Sequence, residues 1–391
     1  MMNGGDCLKL VFASNYFNHH QKPFCEEMFK RLGDDFVFIS TSIMSEERRK
    51  LGYSQNDMPI YVHCAYGGAV QMSKAIELIN EADVVIAGAA PDDMFSERIR
   101  LGKLLLRYGE RPYKKKASFL KKAYHFIKLR KRDLWKNNIY MLCASAYAAT
   151  DYTSIGMYKK RTYKWGYFPS VKKYSEKELF CAKKTNTILW CGRFLDWKHP
   201  DDAIQLARKL KENGYKFCLN MIGTGAMEKK LKYLTKKYSL ADSVHFLGSM
   251  SPEQVRTYME EAGIYLFTSD RKEGWGAVLN ESMNSGCAVI ASHLIGSVPY
   301  LINDGINGLI YKSGNVDELF EKVKYLLDTP AQQSQIGREA YCTINGVWNA
   351  DIASERLLRL TEVILSGEES PRCFETGPCS FAEIIEEDFY G

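Results

Sequence analysis

Apolar, β-branched runs alternate with helical patterns along the whole chain, and that alternation is what parallel strands joined by crossover helices require. The first series places strands at Lys9 to Ser14, Phe36 to Thr41, Tyr61 to Cys64, Val84 to Gly88 and Tyr140 to Ser145, with helical patterns such as Pro23 to Leu32 and Gln71 to Asn80 between them. A second series places strands at Thr187 to Cys191, Phe217 to Ile222, Val244 to Leu247, Ile264 to Ser269 and Ala288 to Ser292. Its helical patterns are Asp201 to Lys211, Met227 to Tyr238, Glu253 to Glu260 and Val316 to Leu327, and a last amphipathic stretch runs from Asp351 to Leu365. The 391 residues exceed what one hydrophobic core usually holds, so two α/β domains are expected.

Between the two series, Trp165 to Lys184 carries Pro169, loses the apolar period and is rich in Lys and Glu, which marks an interdomain crossing. The expected domains are 1–170 and 185–345, with the helix 350–366 packing back on the first and an acidic, flexible tail over 367–391. Open parallel sheets bind ligands beyond the carboxyl ends of their strands, so two such sheets facing one another would hold a cleft there.

The eleven cysteines are scattered without a repeated C-x-x-C spacing, and Met1 to Gly5 leads directly into KLVFAS. Reduced thiols and a cytoplasmic location are expected, with no zinc site.

The sharpest chemical feature is SDRKEGWGAVLNESMNSGCAVIAS, which follows the strand-like IYLFTS and sets Glu273 and Glu281 eight positions apart. Gly274 and Gly276 let backbone approach a ligand beside Trp275, and a helix start near Ala277 and Val278 offers amides to an anion. A diphosphate there would leave Glu281 within reach of ribose hydroxyls and Glu273 facing a sugar. The strand TILWCG opens into GRFLDWKHP and puts Arg193 and Lys198 in the first strand-to-helix loop of the same half. Paired cations are one metal-free way to stabilise a nucleoside diphosphate leaving group. No D-x-D pair is present, so no metal is expected to bridge the diphosphate. The turn GTGAMEKKL, with Gly223 and Gly225, and HFLG, with Phe246 and Leu247, are read as lining the same site.

At these residues the chain resembles the retaining glycosyltransferases of family 4, whose GT-B fold is two Rossmann-like domains facing across a cleft. The matches GRFLDWK, GTGAMEKKL, HFLG, the two glutamates and SGCAVIAS followed by GSVPYLINDGINGLIY run from about Ile188 to Leu327. The resemblance implies that Arg193 and Lys198 bind the donor diphosphate, that Glu273 contacts the transferred sugar and that Glu281 contacts the ribose. It further implies metal-independent transfer of a hexose, with retention, from a nucleotide-diphosphate sugar to a glycan or lipid-linked acceptor in capsule- or O-antigen-like polysaccharide biosynthesis. A non-catalytic subunit of the same fold, binding nucleotide sugar or supporting a partner transferase, is the alternative.

The first half departs from the family pattern. SNYFNHHQKPF stands where many relatives carry a glycine-rich loop, and GAAPDDMF lacks a histidine common there, so Asn15, His19, His20 and Asp92 are the acceptor-side candidates. From Arg107 to Lys136 there are twelve Lys or Arg against two acids, interleaved with Tyr113, Phe119, Tyr124, Phe126 and Trp135. Peripheral contact with an anionic membrane is the favoured reading of this stretch over a solvated helix or a nucleic-acid surface, since no base-reading motif accompanies the charge.

Overall fold

A computed structural model describes residues 8–44, 58–115, 117–134, 136 and 138–390. Of the sequence features above, Met1 to Gly5 and Trp135 lie outside the described residues. The chain divides into two compact units: one runs through Ser170 and takes in Asn349–Ile385, the other is Val171–Trp348 with the segment from Glu386. Both are Rossmann-like, with helices packed on a parallel sheet.

The first unit holds seven strands: β1 (Leu10–Ser14), β2 (Phe36–Ser40), β3 (Val62–Cys64), β4 (Val84–Ala87), β5 (Leu105–Gly109), β6 (Ile139–Cys143) and β7 (Thr162–Lys164). Their order is β3-β2-β1-β4-β5-β6-β7 and every pairing is parallel. β1, β4 and β6 are buried throughout, as expected of strands covered on both faces, which is why they read as unbroken apolar runs.

β5 and β7 escaped the sequence pattern for identifiable reasons. In β5 the run LLRYG contains Arg107, whose charge argues against a buried strand until its partners are known. Arg107 is buried and donates to Asp92 Oδ1 at 2.8 Å and Asp133 Oδ1 at 2.9 Å. β7 is only three residues long, and its outer edge is covered by a distant part of the chain.

That cover is the segment expected to be a flexible acidic tail, and the structure places it otherwise. Tyr163 pairs antiparallel with Phe381, and the Lys164 amide donates to Ser380 O at 2.7 Å while the Ala382 amide donates to Thr162 O at 2.9 Å. Cys379, Ser380 and Ala382 are buried, because small side chains let this backbone lie flat against a sheet edge that would otherwise present unpaired groups. Its acidic composition concealed this role. The helix Ala350–Leu365 also belongs to this unit, where it packs on the helix Lys22–Leu32 and pairs Asp351 Oδ1 with Arg31 at 2.5 Å.

The second unit holds β8 (Lys184–Cys191), β9 (Cys218–Ile222), β10 (Val244–Gly248), β11 (Ala262–Phe267), β12 (Ala288–Ser292) and β13 (Leu309–Tyr311), in the order β10-β9-β8-β11-β12-β13, all parallel. Its core is built from β8, β9, β11 and β12 with Ala203, Leu206, Leu210, Leu319 and Val323 of the covering helices. The helix Pro330–Gly346 was not foreseen from the sequence because PAQQSQIGREAYCTING has little amphipathic contrast. It buries Ile336, Ala340, Tyr341 and Ile344 and packs closely at Gly337, where an added Cβ would lie 2.4 Å from Gly286 O.

Candidate functional site

In the second sheet, β8 leads away to β9 on one side and β11 leads away to β12 on the other. The gap beyond the carboxyl ends of β8 and β11 is therefore its topological switch point, where ligands of open α/β sheets bind. The two loops that flank this gap are 192–199, after β8, and 268–277, after β11. They carry Arg193, Lys198 and Glu273.

The loops are tied together at several points. Trp190 Nε1 donates to Thr268 Oγ1 at 2.9 Å, and that hydroxyl donates onward to Lys198 O at 2.6 Å. The Asp270 amide donates to Trp197 O at 2.9 Å. Across the gap, Lys198 Nζ stands 2.5 Å from Glu273 Oε2, with only 15% and 13% of the two side chains exposed. Ser269 Oγ donates to the same carboxylate oxygen at 3.0 Å. His199, next to Lys198, holds a left-handed backbone (φ 47°) as it caps the helix Pro200–Glu212, a conformation costly for a non-glycine residue and often found at working sites.

Arg193 is exposed on the same loop, where its carbonyl accepts from the Leu195 amide at 2.8 Å, and its guanidinium makes no hydrogen bond or ion pair among the described residues. Glu281 lies in the first turn of the helix Val278–Asn284. Burial raises its carboxyl pKa, opposed by the charge of Arg256. Its charge and that of Lys198 both act on the Cys191 thiol, which burial pushes up to about 12. Burial holds the Tyr265 hydroxyl well above its usual pKa, and the charges of Cys191, Glu281 and Glu273 push it the same way. Lys198, Glu273 and Glu281 thus share one electrostatic neighbourhood around the ends of β8 and β11.

Three details refine the sequence expectations. The seven-residue helix Val278–Asn284 is too short for a large macrodipole, so any pull on an anion comes from a few first-turn amides. The Trp275 side chain is fully buried against Tyr300 and Trp348 with its indole N–H on Asn280 Oδ1 at 2.9 Å, so it shapes the loop from beneath. Gly223 and Gly225 serve backbone packing: a Cβ at Gly223 would fall 1.9 Å from Gly192 O and one at Gly225 2.6 Å from Phe194 O. Gly276 likewise leaves room for the Phe267 ring beside Gly274, Ala277 and Val278.

The Phe194 amide donates to Thr224 O at 2.9 Å and the Gly223 amide to Gly248 O at 2.7 Å, which lock the three strand-end turns into one platform. Phe246 supports it with an edge contact on Phe194, ring centroids 6.1 Å apart, and Leu247 follows at the strand end.

Two features of this region carried no sequence signal. Arg256 Nη1 donates to Glu281 O at 3.1 Å and Asn284 Oδ1 at 2.9 Å, fixing the far end of the Glu281 helix. His199, Asp201 and Asp202 bring one potential ligand atom each within 4.8 Å of one another, a trio able to hold a cation that the absence of D-x-D did not reveal. In the structure Asp201 pairs with Lys230 at 2.8 Å, and His199 Nε2 stands 3.7 Å from Asp270 Oδ2.

In the first unit the switch point falls between β1 and β4, with Asn15, His19 and His20 following β1 and Asp92 following β4. Asn15 Oδ1 accepts from the Tyr16 amide at 2.9 Å, closing its own turn. The His19 and His20 rings meet at a tilt of 46° with centroids 3.7 Å apart, and His20 stacks on Tyr167. Asp92 pairs with Arg107 and stands 3.6 Å from Arg132, at a cavity of about 190 Å³ lined by Gly88, Tyr108 and Tyr158 among others.

The basic stretch divides in two. Arg107 and Arg111 are buried and paired internally, Arg111 with Asp151 at 3.2 Å. The helix Phe119–Arg132 carries the outward charge and buries none of its residues fully.

Residues 171–342 match the profile of the family described as Glycosyl transferases group 1. The chain is 28% identical over 180 residues to the amylovoran biosynthesis glycosyltransferase AmsK of Erwinia amylovora, covering 45% of this chain and 44% of that protein. It is 25% identical over 200 residues to a GDP-mannose-dependent monoacylated alpha-(1-6)-phosphatidylinositol monomannoside mannosyltransferase of Corynebacterium glutamicum, covering 50% and 51%. The chain thus spans about half the length of the curated relatives it matches. The crystal structure of Anabaena HepE in complex with UDP superposes with a TM-score of 0.67 at 15% identity, over 92% of this chain and 100% of that one, which is a likeness of fold.

Proposed function

We propose that this chain, whose residues 171–342 match the profile of the glycosyl transferases group 1 family, transfers a sugar from a nucleoside diphosphate sugar to a glycan or lipid-linked acceptor in polysaccharide assembly. The observation that carries this reading is the meeting of Lys198 and Glu273 across the switch point of the second unit. An ammonium has three N–H donors, so Lys198 can keep one on Glu273 and turn the others to a phosphate. Arg193, exposed on the same loop, supplies the second positive charge. Together they offset the charge that grows on the leaving diphosphate, which is the role that makes a bridging metal dispensable.

Glu273, held by Lys198 and Ser269, accepts hydrogen bonds from sugar hydroxyls, and Glu281 does so from the ribose. In the proposed retaining step the bond from C1 to the diphosphate oxygen breaks and the acceptor oxygen bonds C1 on the same face. The acceptor proton passes to the departing phosphate oxygen, so no enzyme nucleophile is needed. The first unit takes the acceptor near Asn15, His19, His20 and Asp92. HepE is named with UDP and the Corynebacterium relative as GDP-mannose-dependent, so UDP- and GDP-hexoses are the donors to examine first.

The helix Phe119–Arg132 fits a lipid surface on the cytoplasmic side. Phe119, Leu120, Tyr124 and Ile127 are 82%, 79%, 64% and 54% exposed, and 120, 124 and 127 fall on one helical stripe. Lys121, Lys128 and Lys131 flank it and are exposed. Such a stripe lies in a membrane interface with its lysines at anionic head groups, each contributing about 1 kcal/mol. No helix among the described residues is long and apolar enough to cross a membrane.

The test is incubation of the full chain with UDP-, GDP- and ADP-hexoses and glycolipid acceptors, reading nucleoside diphosphate release and product anomeric configuration by NMR. Transfer with retention is expected. An inverted product overturns the mechanism, and donor binding without turnover favours the non-catalytic alternative.

A further inference from the structure

The donor loop is held from outside by a segment that no part of the proposed reaction uses. Within the second unit, Glu387 Oε1 lies 2.9 Å from Arg271 Nη2, with 29% and 17% of their side chains exposed. Arg271 stands two residues before Glu273, in the stretch where the Glu273 amide donates to Asp270 O at 3.0 Å. The same segment is anchored past Glu387. The Tyr390 hydroxyl donates to Ile310 O, in the middle of β13, and lies 3.0 Å from Glu318 Oε1. Its ring stacks on His293, which follows β12, with centroids 6.0 Å apart, and Lys322 Nζ stands 6.0 Å from it. The Phe389 ring lies tilted beside His293, centroids 6.2 Å apart. His293 Nδ1 in turn accepts from the Ser313 amide at 3.0 Å.

An exposed ion pair would contribute little, because solvent screens it and two long side chains must be ordered to form it. This pair is different in two respects: both partners are mostly covered, and the acid is delivered by a backbone already fixed by an aromatic anchor. The ordering cost of Glu387 is thereby met by Phe389 and Tyr390 rather than by the pair.

We propose that Glu386–Tyr390 is a latch on the donor loop, and that Glu387 is a positioning residue which, through Arg271, sets where Glu273 and Lys198 stand for the nucleotide sugar. This rests on the donor-site reading above. The latch itself is a property of the loop and can be measured without any donor.

Hydrogen–deuterium exchange on the full chain reads the loop directly. In Glu387→Gln and Tyr390→Ala, amides of 268–277 should exchange about three- to tenfold faster than wild type, while the strands of the second unit keep their protection. The charge swap Arg271→Glu with Glu387→Arg should return the loop toward wild-type rates, which a merely structural residue would not do. Calorimetric titration with UDP and GDP should show a several-fold loss of affinity in Glu387→Gln and its recovery in the swap. Unchanged loop exchange in Glu387→Gln, or a swap as fast as the single variants, overturns the latch. If wild type binds no nucleoside diphosphate while the exchange pattern holds, the latch stands and the donor reading falls.

Discussion

Replacing Gly223 by Ala attacks the platform beneath the donor loops without touching a charged group. The Cβ of an alanine there would lie 1.9 Å from Gly192 O, at a backbone φ of +138°. An ordinary carbon–oxygen contact is about 3.3 Å, so the Gly192 carbonyl must retreat by about 1.4 Å. Overpacking of that kind costs about 1–3 kcal/mol and the unfavourable φ about as much again. A total of roughly 2–6 kcal/mol corresponds to a fall in Tm of about 4–24 °C for a unit of this size.

The functional effect should be larger than the stability effect, because Gly192 immediately precedes Arg193 and leads the loop to Lys198. A misplacement of about 1 Å in a charge-stabilising group can cost on the order of a hundredfold in rate. Gly248→Ala is the internal control: its φ is +73°, but its Cβ would meet nothing within 4 Å, so it adds strain without moving the loop. Differential scanning calorimetry and nucleoside diphosphate release should separate the two variants. A Gly223→Ala protein with wild-type Tm and turnover, or one indistinguishable from Gly248→Ala, would refute the reasoning.

Arg193→Ala and Lys198→Ala should each lower transfer about 10- to 150-fold, the worth of one charge-assisted contact of about 1.5–3 kcal/mol, read from initial rates with circular dichroism unchanged. Glu281→Gln should raise Tm at pH 7–8 but not in acid, and weaken nucleotide binding. The Glu281 carboxyl pKa is raised by burial, so the folded state holds that proton more tightly than the unfolded state. Its stabilising share is therefore present below the unfolded pKa and lost as pH rises through the folded one, which melting curves across pH will show. Phe119→Ser with Leu120→Ser should cut sedimentation with phosphatidylserine vesicles at least tenfold, and high salt should weaken what remains; equal pelleting by wild type and variant would remove the membrane stripe.

The fold was legible wherever a strand was fully apolar. β1, β4, β11, β12 and the buried second half of β8 declare themselves because burial on both faces leaves almost no polar positions, and each following loop can then be named from sequence. β5 was hidden by Arg107, whose neutralising partners come from residues 92 and 133, a contact that no local window contains. β7 and β13 are three residues each, shorter than a period-two pattern can mark.

The candidate site divides in the same way. Lys198 and Glu273 were identifiable because their loops follow adjacent buried strands. Trp275 looked like a ligand contact because it sits between glycines, yet the ring turns inward to Tyr300 and Trp348. Arg256 and the Arg271–Glu387 pair depend on residues 25 and more than 100 positions apart, so only the folded chain brings them to the site.

The most direct measurement is the crystal structure of the full chain grown with UDP or GDP. The diphosphate should lie beyond the ends of β8 and β11, within hydrogen-bond distance of Lys198 Nζ and the Arg193 guanidinium, with the ribose on Glu281. A nucleotide bound elsewhere, with Lys198 still turned wholly to Glu273, would contradict the account.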